Sequence, residues 1–378
     1  MKTLSHAQAD TNEILRYFEI DWLRIILILA VFIHHCLMPF NGDGWHIMNA
    51  DSSKLLDDIM VYFEQLRLPA LFFIAGAGAF LLLNKRTPLA FIKDKLLKLL
   101  LPLMVGVILI VPPQTYIENI EQYSSYLSAY PELILNFDTN HLWFIEFLFV
   151  FMVLAIPAHS LLARATTRFR KLEILLINPY AVLTIGILIG TIRVGMKVLY
   201  PQESHSIHNL SLSVFYALFF VFGMLFISSN KCWSSFKENR RIYLGILTGV
   251  SVVFYVYYIV DFSPYFSLQT RWSIWWFVCT LVSWIGIATM LGYAQHYLSH
   301  DAKLLRKSNQ LIYPFYIFHQ TVIVLIGYLV IGLDSSVSFK AVILILTSFL
   351  VTVFICWRMV YPFKFMRMLF GLQSVTAK

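Results

Sequence analysis

Long apolar runs, separated by short polar stretches, recur along the whole chain. A helix of roughly 20 apolar residues crosses the hydrocarbon core of a bilayer. Ten runs reach that length, at about 22–39, 60–83, 96–113, 141–162, 173–192, 210–229, 242–260, 273–296, 311–331 and 341–362. They are too long, and alternate too little, for barrel strands. Lipid cannot satisfy a free backbone group, so helix is the state that remains. The expected fold class is all-α, a polytopic integral membrane protein of about ten transmembrane helices. One membrane domain is expected over 22–362, between a polar segment at 1–21 and a short tail at 363–378. No repeat or low-complexity linker divides it.

Composition agrees with the pattern. Apolar residues make up 59% of the chain and charged residues 13%, where soluble domains carry about 25% charged residues. The mean hydropathy is +0.71. A soluble fold has no core large enough to hide that much apolar surface.

The basic residues alternate between connections. Of 29 Lys and Arg, 21 fall in the even-numbered connections and the two tails. The second connection has Lys85, Arg86, Lys93, Lys95 and Lys98, and the fourth has Arg164, Arg168, Arg170 and Lys171. The sixth has Lys231, Lys237, Arg240 and Arg241, and the eighth has Lys303, Arg306 and Lys307. The tails add Lys2, Arg16, Lys364, Arg367 and Lys378. Only five lie in odd-numbered connections, and the stretch 114–140 has none. The side richer in Lys and Arg is the cytoplasmic one. Both ends are therefore expected in the cytoplasm, in a multi-pass protein of the cell (cytoplasmic or inner) membrane. The net charge of +8 is a topogenic signal facing membrane lipid headgroups, and no nucleic-acid partner is expected. Residues 1–21 lack the early apolar core of a cleavable signal. Four scattered cysteines without a CxxC argue against a zinc site or a disulfide framework, so no metal is expected.

Ionisable groups inside a membrane are costly, and so are functional candidates. They are Arg24, His34 and His35 in the first span, Glu64 and Arg67 in the second, His141 and Glu146 in the fourth, and His319 in the ninth. Arg24 and His35 are eleven residues apart, which puts them on one helix face about 16 Å apart along the axis. Two readings stand. A cation at one membrane surface suits phosphate, and a deep imidazole suits general-base chemistry. Equally, Arg24 serves as a snorkelling anchor and His35 as a hydrogen-bonded packing residue. His34 and Cys36 turn away from that face, and Cys36 reads as a small packing residue. Asp21 is placed to pair with Arg24, and Glu64 with Arg67, each at i, i+3.

Asp21-Trp-Leu-Arg24, followed by ten residues and His35, resembles the arginine–x10–histidine signature of the acyltransferase-3 family. Glu64-Gln-Leu-Arg67 through Phe72-Phe-Ile-Ala-Gly76 is similar to that family's second span. His141-Leu-Trp143-Phe resembles its HLWF segment, and Tyr313-Pro-Phe-Tyr316-Ile-Phe-His319 its late Y-x-x-H segment. All four fall in the family's order. Within it, Trp45-His46 and the segment Phe219 to Gly223 are similar to the glucans biosynthesis protein C branch. Two motifs depart from the pattern. The family's SG is Ala75-Gly76 here, and its cytoplasmic RxxR is Lys95-x-x-Lys98. Lysine keeps the charge and loses the bidentate fork.

The resemblance implies an O-acyltransferase that moves an acyl group, acetyl or succinyl, from cytoplasmic acyl-CoA to a hydroxyl of an extracytoplasmic sugar or glycan. It implies that Arg24, Lys95 and Lys98 hold the donor, and that His35 is the base. Arg67 would stabilise the oxyanion or bind a carboxylate, and otherwise pairs with Glu64. His319 would tune His35 or orient the acceptor, and otherwise hydrogen-bonds between helices. His141, Trp143 and Tyr316 are the candidate acceptor residues; Trp45 and Trp143 equally suit the interfacial belt. On composition alone a transporter or flippase competes, but paired broken helices in two related halves are missing. Oligomeric state stays open.

Overall fold

A computed structural model describes residues 16–164, 169–202 and 204–372. Lys2, Arg168 and Lys378, most of the 1–21 segment and the end of the tail lie outside the described residues. The helices are α1 (Phe18–Leu37), α2 (Lys54–Leu83), α3 (Pro88–Lys95), α4 (Leu101–Leu109), α5 (Pro112–Glu118), α6 (Tyr126–Leu135), α7 (Trp143–Arg164) and α8 (Phe169–Ile177). They continue with α9 (Pro179–Leu199), α10 (Leu210–Ile227), α11 (Asn230–Glu238), α12 (Arg240–Ile259), α13 (Leu268–Tyr297), α14 (Lys303–Val330), α15 (Val337–Phe354) and α16 (Lys364–Leu369). Among the described residues there is no strand. Ten helical stretches are long and apolar enough to cross a membrane, from Phe18–Phe40 to Val337–Val360. The chain is an all-α polytopic membrane protein.

Most spans extend beyond the expected limits. The first begins at Phe18, because Glu19 is buried and accepts a 2.9 Å hydrogen bond from the Trp233 indole of α11. The fifth is shifted. Instead of 173–192 it runs Pro179–Leu199, because Asn178 caps the Tyr180 amide and Pro179 opens a new helix. The stretch 114–140 is more than a loop. It holds most of α5, which starts at Pro112, and all of α6, capped by Ser125. The tail folds back as α16, with Arg367 buried.

Burial ranks the helices. In the most apolar window of each span, 67% of residues are buried in α13 and α14, against 11% in α12. The first two therefore form the centre of the bundle and α12 its lipid-facing edge. The tightest crossing is between α2 and α10. A Cβ on Gly76 would strike the Phe220 carbonyl, and one on Gly223 would strike the Phe73 carbonyl. Only glycine lets the two backbones meet there. Pro69 in α2 cannot donate to the carbonyl of Gln65, one turn earlier. The Ser283 hydroxyl of α13 donates to that carbonyl instead, at 2.6 Å.

Candidate active site

Two cavities open into the bundle, and α1, α2, α7 and α14 contribute to both. The larger, about 1210 Å³, is lined by His34, His35, Trp45, His46, Arg67, His141, Trp143 and Tyr316 among others. Of the acyl-transfer and acceptor residues expected from the sequence, it gathers all except His319. His319 is fully buried behind His35. His34 shares the cavity wall with its neighbour, contrary to the helix-face expectation, because the cavity wraps round more than one face of α1. Trp45 stacks on His35, ring centroids 6.1 Å apart, and Trp143 packs against Tyr216 at 5.7 Å.

Nδ1 of His35 lies 3.0 Å from Nε2 of His319. The ring planes are 4° apart and the centroids 5.1 Å apart. With nitrogens so close and centroids so far, the rings meet edge to edge. The proton positions follow from the partners. Nδ1 of His319 faces the backbone carbonyl of Tyr316. A carbonyl only accepts, so this nitrogen carries the hydrogen. Nε2 of His319 is then a lone pair, and Nδ1–H of His35 donates to it. His35 is left with a bare Nε2 on a ring that lines the cavity.

His141 is held differently. Its Nε2 donates to the Ile317 carbonyl at 3.0 Å, and its Nδ1 lies 3.4 Å from the Gln114 amide nitrogen. The Tyr316 hydroxyl donates to the His141 carbonyl. Both ring nitrogens of His141 are thus committed. Around it runs a network that sequence reading missed. The Gln320 amide donates to Asn140 Oδ1 at 2.8 Å and to Gln114 Oε1 at 3.1 Å, and it lies 3.0 Å from Nε2 of His46. His46 Nδ1 in turn pairs with Glu118. Phe137 and Asn140 both have positive φ, 46° and 43°, in the turn that delivers His141 to α7. Non-glycine residues adopt that region at a cost, Asn more readily than Phe. Asp43 stands on the same cavity wall, in the connection after α1. Burial, and then the Asp57 carboxylate, raise its carboxyl above the ordinary value.

Arg67 is 7% exposed, lines the cavity, and its Nε has no hydrogen-bond partner. The expected pair with Glu64 does not form. Both side chains line the cavity and act on each other electrostatically, but they do not close to a salt bridge, and Glu64 accepts a 2.8 Å hydrogen bond from the Gln65 amide. By contrast Asp21 does hold Arg24, at 3.1 Å.

The second cavity, about 790 Å³, lies at the end of the bundle where α1 and α14 begin. Arg24, Lys95 and Lys98 all line it, so all three predicted donor residues meet there. Arg16, Arg306 and Arg367 join them. The sequence had marked these three as topogenic, because each lies in a basic connection or tail. Lys95 closes α3 and Lys98 sits in the wider π-helical turn Leu96–Leu100. Asp94 spreads the cluster, reaching Lys98 at 2.7 Å, Arg86 at 3.0 Å and Lys95 at 3.7 Å. The Tyr313 hydroxyl and Asn309 Oδ1, one turn apart on α14, are buried without a hydrogen-bond partner.

A thin aromatic partition separates the cavities. Phe144 faces the histidine cavity and Leu148 the cationic one, a single turn apart on α7. Phe72 is fully buried beside Phe144, with centroids 4.6 Å apart, and Phe144 meets Tyr316 at 5.8 Å. Among the described residues no group of three or more His, Cys, Asp or Glu is arranged to hold a metal ion.

Comparison with curated proteins and with solved structures finds no match. A model of the acyltransferase-3 family, described as an acyltransferase domain, matches residues 17–361. The matched stretch contains every predicted site residue, from Arg24 to His319. The chain therefore belongs to the acyltransferase-3 family, and is a membrane acyltransferase.

Proposed function

We propose that the protein carries an acyl group across the membrane, from acyl-CoA in the cationic cavity to a sugar hydroxyl in the histidine cavity. One observation carries this reading: the bare Nε2 of His35, on a ring oriented by His319, at the opposite end of the same four helices from Arg24, Lys95 and Lys98. The cations suit the donor's phosphates. The orphaned Tyr313 hydroxyl and Asn309 oxygen suit a polar ligand threading inward. In this reading both ends of the chain and the cationic cavity are cytoplasmic, as the basic connections require.

The step is a direct transfer. The sugar hydroxyl gives its proton to Nε2 of His35 as its oxygen attacks the thioester carbon. An ester C–O bond forms and the C–S bond breaks. The proton then passes from His35 to the leaving sulfur, giving free CoA. While His35 is protonated, its Nδ1–H still donates to the lone pair on His319, which steadies the imidazolium. His319 is thus a positioning residue. The pantetheine arm must pass the Phe72, Phe144 and Tyr316 partition, which keeps water from the thioester until an acceptor is seated. Trp45 and Trp143 offer flat faces for sugar rings. Trp45-His46 and the Phe219 to Gly223 segment support the glucans biosynthesis protein C branch, and with it a glycan acceptor and a succinyl donor.

Proteoliposomes test the reading. Labelled acyl-CoA is supplied on the side of the cationic cavity and the saccharide on the other. Label should reach saccharide only with donor and acceptor on opposite sides. Transfer when both are confined to one side would contradict it. Mass spectrometry of envelope glycans, with and without the protein, identifies the acceptor.

A further inference from the structure

Among the described residues, seven buried side-chain polar atoms have no hydrogen-bond partner. Two of them, Asn309 Oδ1 and the Tyr313 hydroxyl, stand four residues apart on α14 and belong to side chains that line the cationic cavity. Arg67 lines the other cavity, and the remaining four residues line neither. A buried polar group left without a partner is costly, so a neighbouring pair in one cavity calls for a reason. The Tyr313 ring is also wedged. Gly371, at φ +71°, packs so close that a Cβ there would lie 2.6 Å from Tyr313 Cε1 and 2.8 Å from the Lys98 carbonyl oxygen. That turn follows α16, beyond the 17–361 stretch that the family model matches. The end of this chain therefore fixes the place of the hydroxyl.

Chemistry limits the ligand. An amide oxygen only accepts, so Asn309 Oδ1 needs an N–H or O–H donor, whereas the Tyr313 hydroxyl can donate or accept. Ionised phosphates offer acceptor oxygens, which suit the cations of this cavity and not Asn309. We infer that Asn309 and Tyr313 grip the two successive amides of the donor's pantetheine arm. Asn309 Oδ1 accepts from the N–H of the amide nearer the phosphates, and the Tyr313 hydroxyl donates to the carbonyl of the amide nearer the thioester. Side chains at i and i+4 are about 5–6 Å apart on one helix face. That N–H and that carbonyl are separated by two methylenes, roughly 4–5 Å in an extended chain. Helix α14 then acts as a ruler. Arg306, with 58% of its side chain exposed, stands at the cavity mouth. At about 1.5 Å per residue, Asn309 is roughly 4.5 Å further along the axis, Tyr313 roughly 10 Å and His319 roughly 20 Å. Phosphates, amides and thioester fall in that order. The assignment deepens the acyl-CoA reading above and rests on it.

The test is binding without turnover. Full-length protein in lipid nanodiscs is titrated by calorimetry with CoA and with 3′-phosphoadenosine 5′-diphosphate, which carries the same phosphates and no arm. CoA should bind the wild type at least about tenfold tighter, from two hydrogen bonds at roughly three- to tenfold each. Tyr313→Phe and Asn309→Leu should each lower CoA affinity about three- to tenfold and leave that of the nucleotide unchanged. Without ligand, Tyr313→Phe should melt no lower than wild type, since its hydroxyl has no protein partner to lose. Equal affinity of the wild type for both ligands, or CoA affinity unchanged in both variants, overturns the assignment and leaves the donor reading standing. So does an equal weakening of CoA and nucleotide, which would put these side chains in phosphate binding or in the fold. A wild type that binds neither ligand overturns the donor reading, and the assignment with it.

Discussion

The imidazoles of His35 and His319 lie in nearly one plane, with Nδ1 of the first 3.0 Å from Nε2 of the second. Helices α1 and α14 each supply one ring, and the Tyr316 carbonyl sets the direction of the pair. The pair therefore has a polarity, with one nitrogen left for substrate.

That polarity predicts how His319 acts. His319→Leu removes the acceptor for Nδ1–H of His35 and should lower kcat about 10–100-fold, the value of one hydrogen bond to a charged group. KM for the donor should change little, because the cationic cavity is untouched. His319→Gln can still offer a carbonyl oxygen and should recover part of the rate. Steady-state kinetics on the reconstituted protein check this. Loss in KM with kcat preserved would place His319 in binding.

Lys95 and Lys98 predict donor affinity. Both approach Asp94, so Lys95→Glu with Lys98→Glu would crowd carboxylates where phosphates are expected. Affinity for CoA should fall about 100-fold or more, at roughly tenfold or more per charge contact. Calorimetry in detergent measures it. An unchanged Kd would remove both lysines from the donor site and leave Arg24 to be examined alone.

The α2–α10 crossing predicts stability. Gly223→Ala and Gly76→Ala drive a methyl into a backbone carbonyl, and overpacking of this kind costs about 1–3 kcal/mol or more. Gly245 and Gly249 on α12 have open space beside them, so alanine there should be harmless. Thermal melting in detergent should rank the first two clearly below wild type and the other two level with it.

Much of this was legible in the sequence, for reasons of scale. A run such as 210–229 needs only length and apolarity to declare a span, and Leu210–Ile227 follows. Arg24 and His35 share a helix, so spacing alone placed them on one face of α1, where each lines one of the two cavities. What was hidden depends on contacts between distant segments. Gln114 and Gln320 are uncharged and looked like ordinary polar positions, yet they meet across 206 residues. His34 was assigned to another face, since helix geometry does not tell how wide a cavity will be. Glu64 and Arg67 have the right spacing for an ion pair, but Glu64 is bonded by the Gln65 amide and the two stay short of salt-bridge contact. The fifth span slid because Asn178-Pro179 starts a helix, a local signal outweighed in the reading by the apolar run around it.

The central claim is that His35 takes the proton. Single-turnover transfer in proteoliposomes, with saturating donor and acceptor, isolates that step. His35→Gln keeps a hydrogen-bonding side chain and cannot take up a proton at neutral pH. The expected result is a rate lower by about 10²–10⁴-fold, with CoA affinity and insertion unchanged. Transfer by His35→Gln at close to the wild-type rate would contradict the account.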